Sequence, residues 1–242
     1  MREKASSVSE EEREKDKNFI CICKDVDRTF PTHPFYKEQH NQIALRNVLY
    51  LYSLHNPKVG YCQAMNFLAG VMLVVGMNVQ QAFFTLDRII DRYLPPDLFD
   101  SKMEGVYSES FVLQKLCGDR IPKVERHLTN LDPNFFILLS PNWFLCIFLT
   151  TFPIETALRI WDCFLHEKYK IIYRIGIAYL SLIEKEILKG NDFQTIFTIT
   201  KETAIKMFDC RHLIKKSFAI RNFSKKKILE YREMYKQKDQ KQ

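Results

Sequence analysis

Two side chains in the first third of the chain are of the types that phosphoryl-transfer chemistry requires. Arg28 closes the stretch Ile22-Cys23-Lys24-Asp25-Val26-Asp27-Arg28, just before the break at Thr29-Phe30-Pro31. Gln63 stands near the head of Val59 to Gly70, VGYCQAMNFLAG. A guanidinium is planar, multidentate and always charged, so it can neutralise charge on a transferring phosphate. A carboxamide can orient the attacking water. Taken singly, each residue has an ordinary reading. Arg28 suits a helix end, where a cation satisfies terminal carbonyls, and Gln63 suits the polar first turn of a helix. The joint pattern is what points to chemistry.

Other candidate groups are weaker. Cys21-x-Cys23 has the wrong spacing and no second pair for a structural zinc site, and Cys210-Arg211-His212 is isolated, so no metal is expected. Cys62 abuts Gln63, but no histidine is marked out as its base, and an inert thiol is the better reading. No GxxxxGK[ST] run is present, so the chain is not expected to hold nucleotide by itself. Lys225-Lys226-Lys227 lacks interleaved aromatics and reads as a solvated face, so no nucleic-acid partner is expected. Trp161 reads as a core anchor, and Asp162 as a cap or the partner of a nearby arginine.

The elements that must position Arg28 and Gln63 read as helices. Residues 18–28 form a short apolar stretch stopped by Pro31 and Pro34, with extended geometry expected just before each proline. Asn41 to Leu54 has apolar residues at helical spacing, and His55 to Gly60 is a breaker-rich loop. Tyr61 to Val75 predicts a helix that is apolar nearly all round and therefore central. Further helices are predicted over Val79–Tyr93, two segments between Ser108 and Leu131, Trp143–Phe152, Glu155–Leu165, Tyr169–Leu188, Phe193–Phe208 and Lys225–Tyr235. No strand pair competes, and the fold class is all-α, a multi-helix orthogonal array.

Composition agrees. The chain has 242 residues, 46% of them hydrophobic, with 19 Phe and only 7 Gly, which favours helix on helix over a turn-rich β fold. The net charge of +7 is local: residues 211–242 hold 11 Lys/Arg against 3 Asp/Glu, and the remainder is near neutral. Three segments follow: a charged 1–17, read as a frayed helix or disordered, a helical body over 18–222, and a basic helix or tail over 223–242. The 7 cysteines, mostly in apolar runs, suggest buried reduced thiols in a cytoplasmic protein. No signal peptide is evident, and the longest apolar run, Phe67 to Met77, is too short to span a bilayer, so membrane contact is expected to be peripheral at most.

Three ordered blocks resemble the TBC domain of Rab GTPase-activating proteins. Ile22-x-x-Asp25-x-x-Arg28, followed by Thr29-Phe30-Pro31, is similar to the family's arginine-finger motif. Tyr61-Cys62-Gln63, with Met65-Asn66 and Leu68-Ala69-Gly70, is similar to its glutamine-finger motif. Arg159-Ile160-Trp161-Asp162-Cys163 resembles its Trp-Asp block. The resemblance runs from about Phe19 to about Leu188.

The resemblance implies an activator that binds a Rab-family small GTPase in its GTP state and inserts both fingers into the nucleotide site. Arg28 would stabilise charge on the γ-phosphoryl group, and Gln63 would position the water in place of the GTPase's own glutamine. Asp25, Tyr61 and Asn66 would support the finger region. GTP and magnesium would come with the partner, so no cofactor of its own is expected, and location would be cytoplasmic or peripheral on endomembranes, in vesicle trafficking. Two departures stand out. Ala64 replaces the family's usual glycine, with a mild effect expected if it lies in a helix. Only about 18 residues precede Phe19, so the family's first helices are expected to be lacking and apolar surface near Tyr61–Val75 to be left wet. The competing readings are a Rab-binding helical module that does not accelerate hydrolysis and a purely structural helical scaffold.

Overall fold

The computed structural model describes residues 10–239 apart from Ser101 and Asn222. Every regular element among them is helical. Residues 1–9 of the charged N-terminal segment lie outside the described residues. Its remainder forms α1 (Glu10–Lys15), with α2 (Lys17–Val26) following directly. Asp16 separates the two and caps α2, its carboxylate accepting from the amides of Asn18 at 2.7 Å and Phe19 at 3.4 Å.

The chain divides into two compact units, residues 1–92 and 93–242. In the first, a 3₁₀ turn (Pro34–Lys37) leads into α3 (Gln39–His55), which packs on α2, α4 (Met65–Val74) and α5 (Val79–Arg88). Asn78 and Gln81 open α5 with a reciprocal capping box. A π-helical turn, Ile89–Tyr93, replaces the regular helix expected there.

In the second unit, α6 (Glu104–Arg120) packs on α7 (Pro122–Leu131) and on the short α8 (Phe135–Leu139) and α9 (Pro141–Leu145). Then come α10 (Ile154–Glu167), α11 (Lys170–Leu182), α12 (Glu184–Ile187), α13 (Phe193–Ala204), α14 (Cys210–Phe218) and α15 (Lys225–Asp239). α11 packs on α10 and α14, and α15 packs on α6.

Two predicted helices are broken. Trp143–Phe152 gives way after Leu145 to a tight turn in which Ile147 and Phe148 adopt positive φ, 48° and 63°. Both are fully buried, and the Trp161 indole donates to the Ile147 carbonyl at 3.2 Å, so packing and a hydrogen bond hold a conformation that bulky residues avoid. Tyr169–Leu188 is interrupted at Ile183. Of the seven cysteines, only Cys117 and Cys146 are buried, against the expectation that most would be.

Candidate functional site

The helix carrying the arginine motif ends at Val26, and the chain turns through Asp27 to Phe30. The turn is held from below. Thr29 Oγ1 donates to the Asp25 carbonyl at 2.6 Å, and Phe30 adopts φ 46°, not the extended geometry expected before Pro31. The strain at Phe30 is matched by aromatic packing: its ring lies 5.5 Å from Phe67, edge to face, and 6.4 Å from Tyr36. Tyr36 donates its hydroxyl to the Gly70 carbonyl at 2.9 Å. A Cβ on Gly70 would come within 3.0 Å of Thr29 Cγ2 and 3.2 Å of Phe30 Cε2, so α4 can approach this turn only without a side chain there.

The second motif is not helical where Gln63 sits. The helix begins at Met65, so Tyr61, Cys62, Gln63 and Ala64 form the approach to it. Ala64 is the N-cap, at φ 92° and ψ −29°. This corrects the expectation for Ala64: the position is left-handed, the region that glycine enters freely and alanine does not. The amide of Ala64 donates to Asn66 Oδ1 at 3.0 Å, within the turn itself. Of the expected wet apolar surface near Tyr61–Val75, Val75 is 55% exposed, just past the end of the helix. Eight of the ten residues of α4 are buried.

Polar bonds join the two motifs through groups that are themselves buried. Asp25 is 5% exposed, and its Oδ1 receives Arg28 Nε at 2.8 Å and Arg28 Nη2 at 2.6 Å. Its Oδ2 receives the Tyr61 hydroxyl at 2.6 Å. One carboxylate thus fixes the arginine and the start of the second motif together. Burial, and then the Asp25 carboxylate, push the Tyr61 hydroxyl well above its usual range, so it remains a donor at any physiological pH. A second link runs from Asn66 Nδ2 to Thr29 Oγ1 at 2.8 Å, with Asn66 fully buried. A third runs from the Tyr61 amide to Asn18 Oδ1 at 3.1 Å.

Gln63 therefore stands between two residues, Tyr61 and Ala64, that are tied back to the Arg28 turn directly or through Asn66. Gln63 itself is exposed. The Arg28 side chain is 56% exposed although its Nε edge is held by a buried carboxylate. The structure brings together the five sequence-predicted positions, with Arg28 and Gln63 at the surface and Asp25, Tyr61 and Asn66 beneath. Asn18 and Thr29 are equally part of the link. Thr29 could be found from its place directly after the arginine, whereas nothing in the local sequence marks Asn18.

The Rab-GTPase-TBC domain family model matches residues 2–188. The chain belongs to this family. The match begins ahead of Phe19, where the resemblance of the motifs starts. Growth hormone-regulated TBC protein 1 of Xenopus tropicalis is 35% identical over 203 residues, 82% of this chain and 59% of that protein. The human protein of the same name is 34% identical over 200 residues, 81% of this chain and 59% of its own length. The chain thus spans about three fifths of the length of these relatives.

Among solved structures, the Chlamydomonas flagellar RabGAP TBC domain superposes with a TM-score of 0.74 at 31% identity, covering 85% of this chain and 69% of that one. The Ypt/Rab-GAP domain of Gyp1p gives a TM-score of 0.71 at 18% identity, covering 90% and 74%, a likeness of fold. The all-α class expected for a TBC domain is the class observed. Among the described residues, no helix of this TBC chain is long and apolar enough to cross a membrane.

Proposed function

We propose that this TBC chain is an activator of a Rab-family GTPase, acting on the GTP-bound partner with Arg28 and Gln63 supplied in trans. The nucleotide and its magnesium belong to the partner, so the chain is a GTPase activator and not a hydrolase in its own right. The observation that carries the reading is the Asp25 carboxylate, which binds Arg28 and Tyr61 at once and so couples the two finger segments. Asp25 orients one edge of the guanidinium and leaves the other for phosphate oxygens, where a planar fork serves better than an ammonium. Tyr61 and Asn66 hold the segment that presents Gln63, which orients the attacking water. Positioned charge of this kind acts mainly on the transition state, and an arginine supplied in trans raises the rate by about a thousandfold or more. Such an activator works in the cytoplasm, at endomembranes where its partner directs vesicle traffic.

A second reading is a module that binds the GTPase without accelerating it. The position of Ala64 favours it, because strain beside Gln63 can displace the carboxamide from the water it must orient. Single-turnover GTP hydrolysis across a panel of Rab GTPases, with binding measured in parallel, separates the two. Activation predicts a faster chemical step for at least one member. Binding with an unchanged hydrolysis rate on every member contradicts it.

A further inference from the structure

Tyr61 is held at both ends by one helix. Its hydroxyl donates to Asp25 Oδ2 at 2.6 Å, and its amide donates to Asn18 Oδ1 at 3.1 Å. Asn18 and Asp25 are two helical turns apart on α2, so both acceptors lie on one face, about 10 Å from each other along the axis. The same helix leads into the turn that carries Arg28. Asn18 sits in its first turn, where the Asp16 carboxylate receives the Asn18 amide at 2.7 Å.

The two bonds to Tyr61 do different work. The hydroxyl bond holds a side chain that can pivot about its own torsions. The amide bond holds the plane of the Gly60–Tyr61 peptide, and that plane sets where the chain goes next. The plane needs holding, because Gly60 stands at φ 65° and glycine has the broadest choice of backbone angles. Both flanks are anchored separately. The Gly60 amide donates to the Asn56 carbonyl at 2.8 Å, and the Ala64 amide donates to Asn66 Oδ1. A rotated plane would redirect Tyr61 to Gln63 and leave both of those anchors in place. The Asn18 carboxamide lies directly against this turn: a Cβ on Gly60 would come within 3.2 Å of its Oδ1.

We propose that Asn18 is a positioning residue for Gln63, fixing the Gly60–Tyr61 peptide plane and with it the direction in which the exposed carboxamide is presented. This role rests on the activator reading above. Asn18 touches neither substrate nor reacting atoms, and it acts only through the segment that it holds.

Single-turnover GTP hydrolysis on a responsive Rab, at increasing concentrations of the full chain, separates the maximal rate from the concentration that gives half of it. Asn18→Ala removes the acceptor at a helical position that alanine suits, and Asn18→Leu, closer in size, replaces it if the alanine variant melts below the assay temperature. Asn18→Asp keeps an oxygen where the Tyr61 amide donates. Asp16→Ala removes the cap of α2 but leaves the Asn18 side chain, so it loosens the same turn without deleting the acceptor.

Asn18→Ala is expected to lower the maximal rate about tenfold or more and to change half-saturation by no more than about twofold, because a misplaced carboxamide costs rate and not binding. Asn18→Asp should return the rate to within about threefold of wild type. Asp16→Ala should lower the melting temperature at least as much as Asn18→Ala and keep most of the maximal rate. A full rate in Asn18→Ala, no recovery in Asn18→Asp, a change confined to half-saturation, or equal slowing by Asp16→Ala would each overturn the role of Asn18 alone. A wild-type chain that accelerates no Rab in the panel would overturn the activator reading, and this role with it.

Discussion

Two carboxylate–arginine pairs in this molecule use the same groups at similar distances and do different work. In the turn after α2, Asp25 is buried but Arg28 is more than half exposed. In the second unit, Glu109 of α6 meets Arg232 of α15 through two bonds, 2.6 and 3.0 Å, with both residues buried. Glu109 also accepts from the Tyr173 hydroxyl, and the Arg232 guanidinium lies over the Tyr169 ring at 4.8 Å. The second pair satisfies itself and pins the C-terminal helix to α6. The first leaves part of its arginine unsatisfied and facing solvent. Exposure of the cation, more than the pair itself, separates a group available for a partner from one that closes a fold.

The contrast breaks most visibly in activity. Arg28→Ala is expected to lower stimulated GTP hydrolysis by about a thousandfold, equivalent to about 4 kcal/mol at the barrier, while unfolding stability falls by only about 1–2 kcal/mol, because the cation is largely solvated and the buried Asp25 keeps the Tyr61 hydroxyl. Arg28→Lys should recover little, since one ammonium cannot span two phosphate oxygens. Single-turnover rates and denaturant melts on the same preparations check both halves.

Arg232→Ala should do the reverse. It strands Glu109 in a buried site and is expected to cost about 3–5 kcal/mol of stability. Burial already pushes the Glu109 carboxyl up against the pull of the guanidinium. Without Arg232 it rises further, and a carboxyl whose folded value is raised loses stability as pH climbs through that value. The deficit should therefore be largest near neutral pH and shrink in acid, where Glu109 is protonated in both states. Urea titrations at the two pH values would read it, and a deficit independent of pH would show that lost packing dominates.

The smallest effect expected is at Ala64. Ala64→Gly relieves the left-handed strain, offset by the greater freedom of glycine in the unfolded chain, for a net gain of about 0.5–1 kcal/mol. Hydrolysis should be equal or faster. A loss of stability would mean that burial of the alanine methyl outweighs its φ of 92°.

The sequence disclosed the class of the fold, and periodicity explains why. α3 and α5 bury one face at regular spacing, and Asn78 announces its helix with a capping box. The helices that escaped, or broke, carry no such mark. Phe135–Leu139 is one apolar turn inside an apolar region. The break at Ile183 has no glycine or proline beside it, and the turn at Ile147 and Phe148 is imposed by packing from Trp161. The α14 helix was within reach, because Asp209 caps it through the His212 amide at 3.0 Å. In the candidate site, residue types put Arg28 and Gln63 forward, but the link through Asp25, Thr29 and Asn66 joins residues distant in sequence and required the fold. The left-handed Ala64 was hidden for a related reason: apolar periodicity runs through Tyr61–Val75, while the helix itself waits until Met65.

The central claim is that both fingers come from this chain, and the glutamine tests it most directly. Single-turnover GTP hydrolysis would be measured for a responsive Rab with wild-type chain and with Gln63→Ala, and again with the GTPase's own catalytic glutamine replaced. The account predicts that Gln63→Ala suppresses stimulation even when the GTPase glutamine is intact, and that stimulation by the wild-type chain survives loss of the GTPase glutamine. Hydrolysis that persists with Gln63→Ala and fails when the GTPase glutamine is changed would contradict it.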